Sequence, residues 1–171
     1  MYINRYYSPV GRLILVSDGT FLKELRFENS PVPELPPKDL PVFDETKRWL
    51  DIYFTGKDPG RIPPLSPEGT AFRKRVGELM LGIPFGKVTY YGDLAAKAAK
   101  IAGKDRMSAQ AVGGAVGHNP VGIIIPCHRV VGSDGSLTGF GGGMDVKVAL
   151  LKNEGIDPEN IKQYFITGGT T

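Results

Sequence analysis

The chain has 171 residues, 41% of them hydrophobic and 23% charged, enough for one medium domain or two small ones with a genuine core. No apolar run approaches the ~20 residues that span a bilayer, and the opening MYINRYYSPVGR is not of signal-peptide type. One cysteine and two histidines exclude an internal disulfide and argue against a structural zinc site, so the expectation is a reducing cytoplasmic setting with no metal or cofactor.

The net charge of +3 is unevenly spread: residues 1–66 carry nine basic and nine acidic side chains, whereas residues 67–171 carry twelve and nine. The stretch 67–110 has eight basic and four acidic residues, a weak electrostatic pointer to a polyanion.

Tyr2 to Tyr7, Arg12 to Ser17 and Phe21 to Phe27 are rich in aromatic and β-branched residues and are separated by the turn sequences SPVG and SDGT. They predict a three-stranded antiparallel meander. PVPELPPKDLP is too proline-rich for helix or sheet, and Phe43 to Phe54 predicts a helix burying Phe43, Trp49, Leu50, Tyr53 and Phe54. The second proline cluster, Asp58 to Pro67, reads as an inter-domain linker. Helices are then predicted over Gly69 to Leu81, with Phe72, Val76, Leu79 and Met80 inward, over Gly92 to Ile101 and over Ser108 to Gly117. The apolar run Ile123 to Val131 predicts a strand, GSDGSLTGFGGG a flexible loop, and Asp145 to Asn153 a last helix. Three helices followed by a β-like element suggest a helix-turn-helix or winged-helix module.

The glycine-rich stretches do not form nucleotide-binding loops. GxxxxGK would need glycine at Leu81 and Ser or Thr at Val88, and GxGxxG from Gly139 would need glycine at Met144. Gly113 and Gly114 are odder, since each costs ~1 kcal/mol inside a helix. They serve either close packing against a neighbouring helix or a smooth surface that lets another molecule approach.

The lone cysteine sits in IIIPCHRVV. A thiol of pKa ~8.5 needs help to react at neutral pH, and an imidazole of pKa ~6.5 can take its proton. In a strand, however, Cys127 and His128 would face opposite ways, and Pro126 argues for a rigid turn. These residues alone favour an inert buried cysteine while leaving an activated nucleophile open.

PCHR (Pro126 to Arg129), flanked by IPFGKVTYYGDLA, AVGGAVGHNPVGIIIPCHRVV and GFGGG…VKVALLKNEG, resembles the signature of the O6-alkylguanine-DNA alkyltransferases, the methylated-DNA–protein-cysteine methyltransferases of direct DNA repair. The likeness covers about residues 70 to 155 in order. It implies an α/β (α+β) chain: a small N-terminal sheet and helix domain over 1–66, then a mainly helical, winged-helix-like DNA-binding and catalytic domain over 67–171.

The resemblance further implies irreversible, single-turnover transfer of the alkyl group from a flipped O6-alkylguanine to Cys127. His128 would be the base acting through water, Glu154 its orienting carboxylate, Asn119 the brace of the active-site turn, and Tyr91 the donor to guanine N3. The carbonyls of Cys127 and Val130 would accept from the guanine amino group, with Pro126, Val116, Gly141 and Gly142 completing the pocket. Contact with the minor groove of double-stranded DNA would come from Arg106, Ser108, Ala109, Gln110, Ala111, Gly113, Gly114 and Arg129. A monomer is expected, in the cytoplasm with the nucleoid of a prokaryote or in the nucleus of a eukaryote.

Three positions depart from the family pattern. Gln110 stands where an arginine usually fills the space left by the flipped base; Phe140-Gly141 replaces a frequent Tyr-Ser pair; Gly122 replaces a proline of some relatives and could open a pocket wall. Two rival readings are a non-catalytic lesion-binding protein, from whose relatives the cysteine is missing, and a thiol hydrolase using Cys127 and His128.

Overall fold

The computed structural model describes residues 1–29, 31–137 and 139–166. They form two compact units, residues 1–68 with 120–124, and residues 69–119 with those from 125 onward.

In the first unit, β1 (Tyr2–Ser8), β2 (Gly11–Ser17) and β3 (Leu22–Phe27) make the antiparallel meander in that order. The central strand has Leu13, Ile14, Leu15 and Val16 all buried, because both faces of the sheet are covered. Ile14 and Val16 join Ile3 against Val32 and Leu35; helix α1 (Pro41–Tyr53) also packs on β2. The proline-rich segments are not passive. Residues 36–38 pair with β1 through Ile3 N–H to Pro36 O (3.1 Å) and Lys38 N–H to Ile3 O (3.3 Å). The predicted linker pairs with β3, Leu22 N–H donating to Pro64 O (2.8 Å) and Ser66 N–H to Leu22 O (3.0 Å). Proline keeps its carbonyl, so it can cap a sheet edge while donating nothing that would recruit another strand.

Residues 120–124 also belong to this edge: Leu25 N–H donates to Pro120 O (3.0 Å) and Gly122 N–H to Leu25 O (2.8 Å). A Cβ at Gly122 would lie 3.4 Å from that carbonyl and from Phe27, and a proline there would lose the hydrogen bond. Gly122 is therefore an edge-pairing residue, and the two-domain division differs from the predicted one by this returning segment.

The second unit is built on α2 (Ala71–Leu81), α3 (Tyr91–Ile101) and α4 (Ala109–Gly117), each packed on the other two. Two short parallel strands, β4 (Thr89–Tyr90) and β5 (Val130–Val131), lie beside them. α5 (Met144–Asn153) leads to a 3-10 segment, Pro158–Tyr164. Val88, Val131, Leu151, Ile156 and Ile161 form a shared core under this C-terminal part. The predicted helices appear within two residues of their expected starts. The predicted strand Ile123 to Val131 does not: only its last two residues are strand, and the rest is a sequence of tight turns. Its unbroken hydrophobicity reflects burial, which a buried turn requires as much as a buried strand. Among the described residues no helix is long and apolar enough to cross a membrane.

Candidate active site

The turn around the cysteine follows from its prolines and carbonyls. Ile124 N–H donates to Gly122 O (2.8 Å), closing a three-residue turn that forces Ile123 to φ 68°, a backbone strain of about 1–3 kcal/mol for a β-branched residue. Pro126, at φ −83° and ψ 66°, adopts an inverse γ-turn, and Cys127 N–H donates to Ile125 O (2.8 Å). A 3-10 turn over Cys127–Arg129 follows, secured by Arg129 N–H to Pro126 O (3.0 Å). The turn keeps the neighbours Cys127 and His128 within one local unit, where a strand would have separated them.

Asn119, the last residue before the chain leaves the second unit, donates through Nδ2 to Ile125 O (2.8 Å), the first residue after it returns. Two donors thus converge on one carbonyl and pinch the turn shut. The Asn119 amide also hydrogen-bonds the thiol.

Glu154, just past the end of α5, collects three partners. Oε2 accepts from His128 Nε2 at 2.5 Å, and Oε1 accepts from Arg129 Nε (2.8 Å) and from Gly86 N–H (3.0 Å). Gly86 has φ +76°, so the glycine of IPFGK turns its amide inward. Arg129 Nη1 donates to Ile83 O (2.7 Å), and its guanidinium lies over the Phe85 ring. The IPFG motif is therefore a bracket for Arg129 and Glu154.

The electrostatics follow from burial. Cys127 has only 8% of its surface exposed and His128 none. Burial raises the thiol above its ordinary pKa, opposed by the Asn119 hydrogen bond and the charge of Lys147. Burial lowers His128, against the charge and hydrogen bond of Glu154, so the resting imidazole is neutral. Burial acts to raise Glu154 as well, but the hydrogen bond of His128 (joined by its charge whenever the imidazole is protonated), the charge of Arg129 and the Gly86 amide outweigh it and hold the carboxyl at about 2. An ionised Glu154 accepts, so His128 carries its proton on Nε2 and presents Nδ1 as the basic nitrogen.

Cys127 and His128 thus share one turn, which Asn119 braces and whose histidine Glu154 holds. Tyr91 is half-buried at the start of α3, Pro126 and Val130 are buried in the turn, and Val116 is buried in α4. Gly141 is exposed and Gly142 half-exposed in the loop before α5; Thr138 of that loop lies outside the described residues.

Arg129 requires a correction. Placed at the DNA surface by sequence reasoning, it is 7% exposed and its guanidinium is engaged by Glu154 and Ile83, so it builds the site from beneath. Ser108 has a structural role at the surface, capping α4 with Oγ accepting from Ala111 N–H (2.9 Å).

Arg106, Ala109, Gln110, Ala111 and Gly114 are exposed and Gly113 is half-exposed, while Val112, Ala115 and Val116 form the buried face of α4. A Cβ placed on Gly113, Gly114 or Gly117 would meet no other described part of the chain within 4 Å. The glycines therefore do not permit close helix packing, which leaves the open-surface reading.

Sequence reasoning also missed Lys147. It lies three and four residues before Leu150 and Leu151 on the buried face of α5, a periodicity that could have marked it.

Two family models match, one described as the DNA binding domain of 6-O-methylguanine DNA methyltransferase over residues 71–156, the other as its ribonuclease-like domain over residues 1–60. A methylated-DNA–protein-cysteine methyltransferase of Haemophilus influenzae is 42% identical across 96% of this chain and 95% of its own. One of Methanosarcina acetivorans is 39% identical across 91% and 99%. The crystal structure of Mycobacterium tuberculosis OGT in complex with DNA superposes with a TM-score of 0.80 at 36% identity, covering 91% of this chain and 94% of that one.

Proposed function

We propose, for a chain that belongs to the 6-O-methylguanine DNA methyltransferase family, how its own residues divide the work of DNA repair by alkyl transfer to cysteine. Cys127 is the acceptor. His128 Nδ1 takes the thiol proton through a water, and the ionised Glu154 steadies the imidazolium that results. The thiolate attacks the alkyl carbon of O6-alkylguanine in line: the S–C bond forms as the C–O6 bond breaks, and the electron pair stays on the guanine. Tyr91 donates its hydroxyl proton to guanine N3 and regains one from solvent. The Cys127 and Val130 carbonyls receive the guanine amino group.

A thiol this deeply set cannot reach a base stacked in a duplex, so the base must be flipped out to meet it. Minor-groove contact by α4 accounts for the glycines, whose open face fits a groove only ~6 Å wide. Gln110, on that face, takes the arginine's place beside the orphaned base. A thioether is not hydrolysed by the groups present, so each molecule acts once.

The observation that carries this reading is the His128–Glu154 pair built on the same buried turn as Cys127, with Asn119 bracing that turn. The test is incubation with duplex DNA containing one O6-methylguanine, followed by intact mass. A gain of one CH2 unit, abolished by Cys127→Ala, is expected. Lesion binding without a mass gain would overturn repair in favour of damage recognition alone.

A further inference from the structure

Residues 164–166 lie beyond the matched DNA binding domain, which ends at residue 156, yet they complete the small sheet of the second unit. Val88 N–H donates to Tyr164 O (3.0 Å) and Ile166 N–H to Val88 O (3.3 Å), which pairs Phe165 with Val88 in parallel. β4 continues directly from Val88, with Thr89 opposite Val130 and Tyr90 opposite Val131 of β5. Backbone groups of successive strand residues point to opposite edges, so this chain is held from both sides, by β5 and by the C-terminal segment.

The pairing has a side-chain half. The Phe165 ring stacks on Tyr90, with centroids 3.6 Å apart and planes at 20°, and both rings pack on the core of Val88, Val131, Leu151, Ile156 and Ile161. Tyr90 is the N-cap of α3 and Tyr91 is its first residue. The Tyr90 side chain makes no capping hydrogen bond, unlike the Ser, Thr, Asp or Asn that ordinarily secures a helix start. Tertiary contacts do that work here, the β5 pairing and the Phe165 stack. In the repair reading this helix start carries Tyr91 and β5 carries Val130, the two groups that meet guanine N3 and the guanine amino group.

We propose that Phe165 is a positioning residue for alkyl transfer: stacked on Tyr90, it fixes the start of α3 and so aims the Tyr91 hydroxyl at guanine N3. The proposal rests on the repair reading, from which it takes the role of Tyr91. An aromatic pair suits the task because stacked rings have a preferred mutual orientation, which aliphatic contacts lack. A residue that merely filled the core would, when lost, weaken every property of the unit. A positioning residue acts only through the group it aims.

The full-length parent, Tyr91→Phe, Phe165→Ala and the double variant are compared in single-turnover methyl transfer from O6-methylguanine duplex at saturating DNA. Iodoacetamide alkylation of Cys127 is measured beside it. Phe165→Ala is expected to slow transfer about tenfold, less than the ~100-fold that a full ångström of misplacement costs, with its iodoacetamide rate unchanged. The double variant is expected to be no more than about twofold slower than Tyr91→Phe, since no hydroxyl is left to aim. Phe165→Tyr, which keeps a ring, is expected to stay within about twofold of the parent. The proposal is overturned by a Phe165→Ala that transfers at the parental rate, alters iodoacetamide reactivity, or shows a loss that multiplies with that of Tyr91→Phe. A Phe165→Tyr as slow as Phe165→Ala overturns it too. Should Phe165→Ala not fold, Phe165→Leu takes its place in the cycle and the same outcomes decide. A parent that transfers methyl while the two losses multiply keeps the repair reading and removes this proposal alone; a parent that gains no methyl overturns both.

Discussion

Replacing Gly113 and Gly114 together by alanine separates what α4 needs to fold from what it needs to touch. Neither glycine has a positive φ, and a methyl on either meets nothing described within 4 Å. Alanine should therefore recover the helix propensity that glycine forfeits, about 1 kcal/mol at each site, or about 2 kcal/mol together. For a chain of this length that corresponds to a melting temperature higher by about 4–8 °C. Against a groove wall the same methyls have nowhere to go, and overpacking of a close interface costs about 1–3 kcal/mol, a loss of about fivefold to somewhat over a hundredfold. Calorimetry, iodoacetamide reactivity of Cys127, and repair of both a duplex and a free O6-alkylguanine base would be measured on one preparation. The expected pattern is higher stability, unchanged thiol reactivity, unchanged transfer from the free base and slower transfer from the duplex. A variant that melts higher and repairs duplex DNA at the parental rate would refute the assignment of this face to DNA.

Glu154→Gln should destabilise the fold by about 3 kcal/mol in urea titrations, the free-energy equivalent of holding its carboxyl at about 2 instead of 4.5. Because the folded-state value is depressed, that stability is present above the ordinary carboxylate value and disappears as pH falls toward 2. The variant should lack this acid-side loss, and a parent chain whose stability is flat from pH 5 to about 2 would contradict the ionised buried carboxylate. Gln110→Arg should speed repair of duplex DNA, measured by single-turnover kinetics at low salt, and leave transfer from a free base unchanged; an equal or slower duplex rate would show that glutamine is sufficient. The pH dependence of transfer should retain activity below the ordinary imidazole value of 6.5, since burial lowers His128, and an acid limb at or above that value would mean the histidine is protonated at rest.

The N-terminal meander and every long helix were legible because their periodicity and turn residues act locally, and burial of the resulting faces reinforces the same choice. The failures share a different cause. Pro36 and Pro64 were read as breakers of structure, which is true of their nitrogens; each carbonyl, however, accepts from a strand amide, a tertiary pairing with no local signature. The Ile123–Val131 run was read as a strand because hydrophobicity reports burial and not backbone geometry. Only the φ/ψ of Ile123 and Pro126 distinguish two successive three-residue turns from an extended chain.

The site was legible where a motif carried it and illegible where charge balance decided. Cys127 and His128 are adjacent, but Glu154 lies twenty-six residues from His128, and its other partners, Gly86 and Arg129, come from a distant turn and from a residue assigned to the surface. Arg129 was misplaced because an arginine in a DNA-binding chain is ordinarily counted toward phosphate, yet an ionised carboxylate held at 0% side-chain exposure demands a buried cation, and Arg129 is the residue the 3-10 turn delivers. Once Arg129 is committed inward, Glu154 can stay ionised without water and keep His128 donating from Nε2, which leaves Nδ1 as the basic nitrogen of the buried turn that carries Cys127.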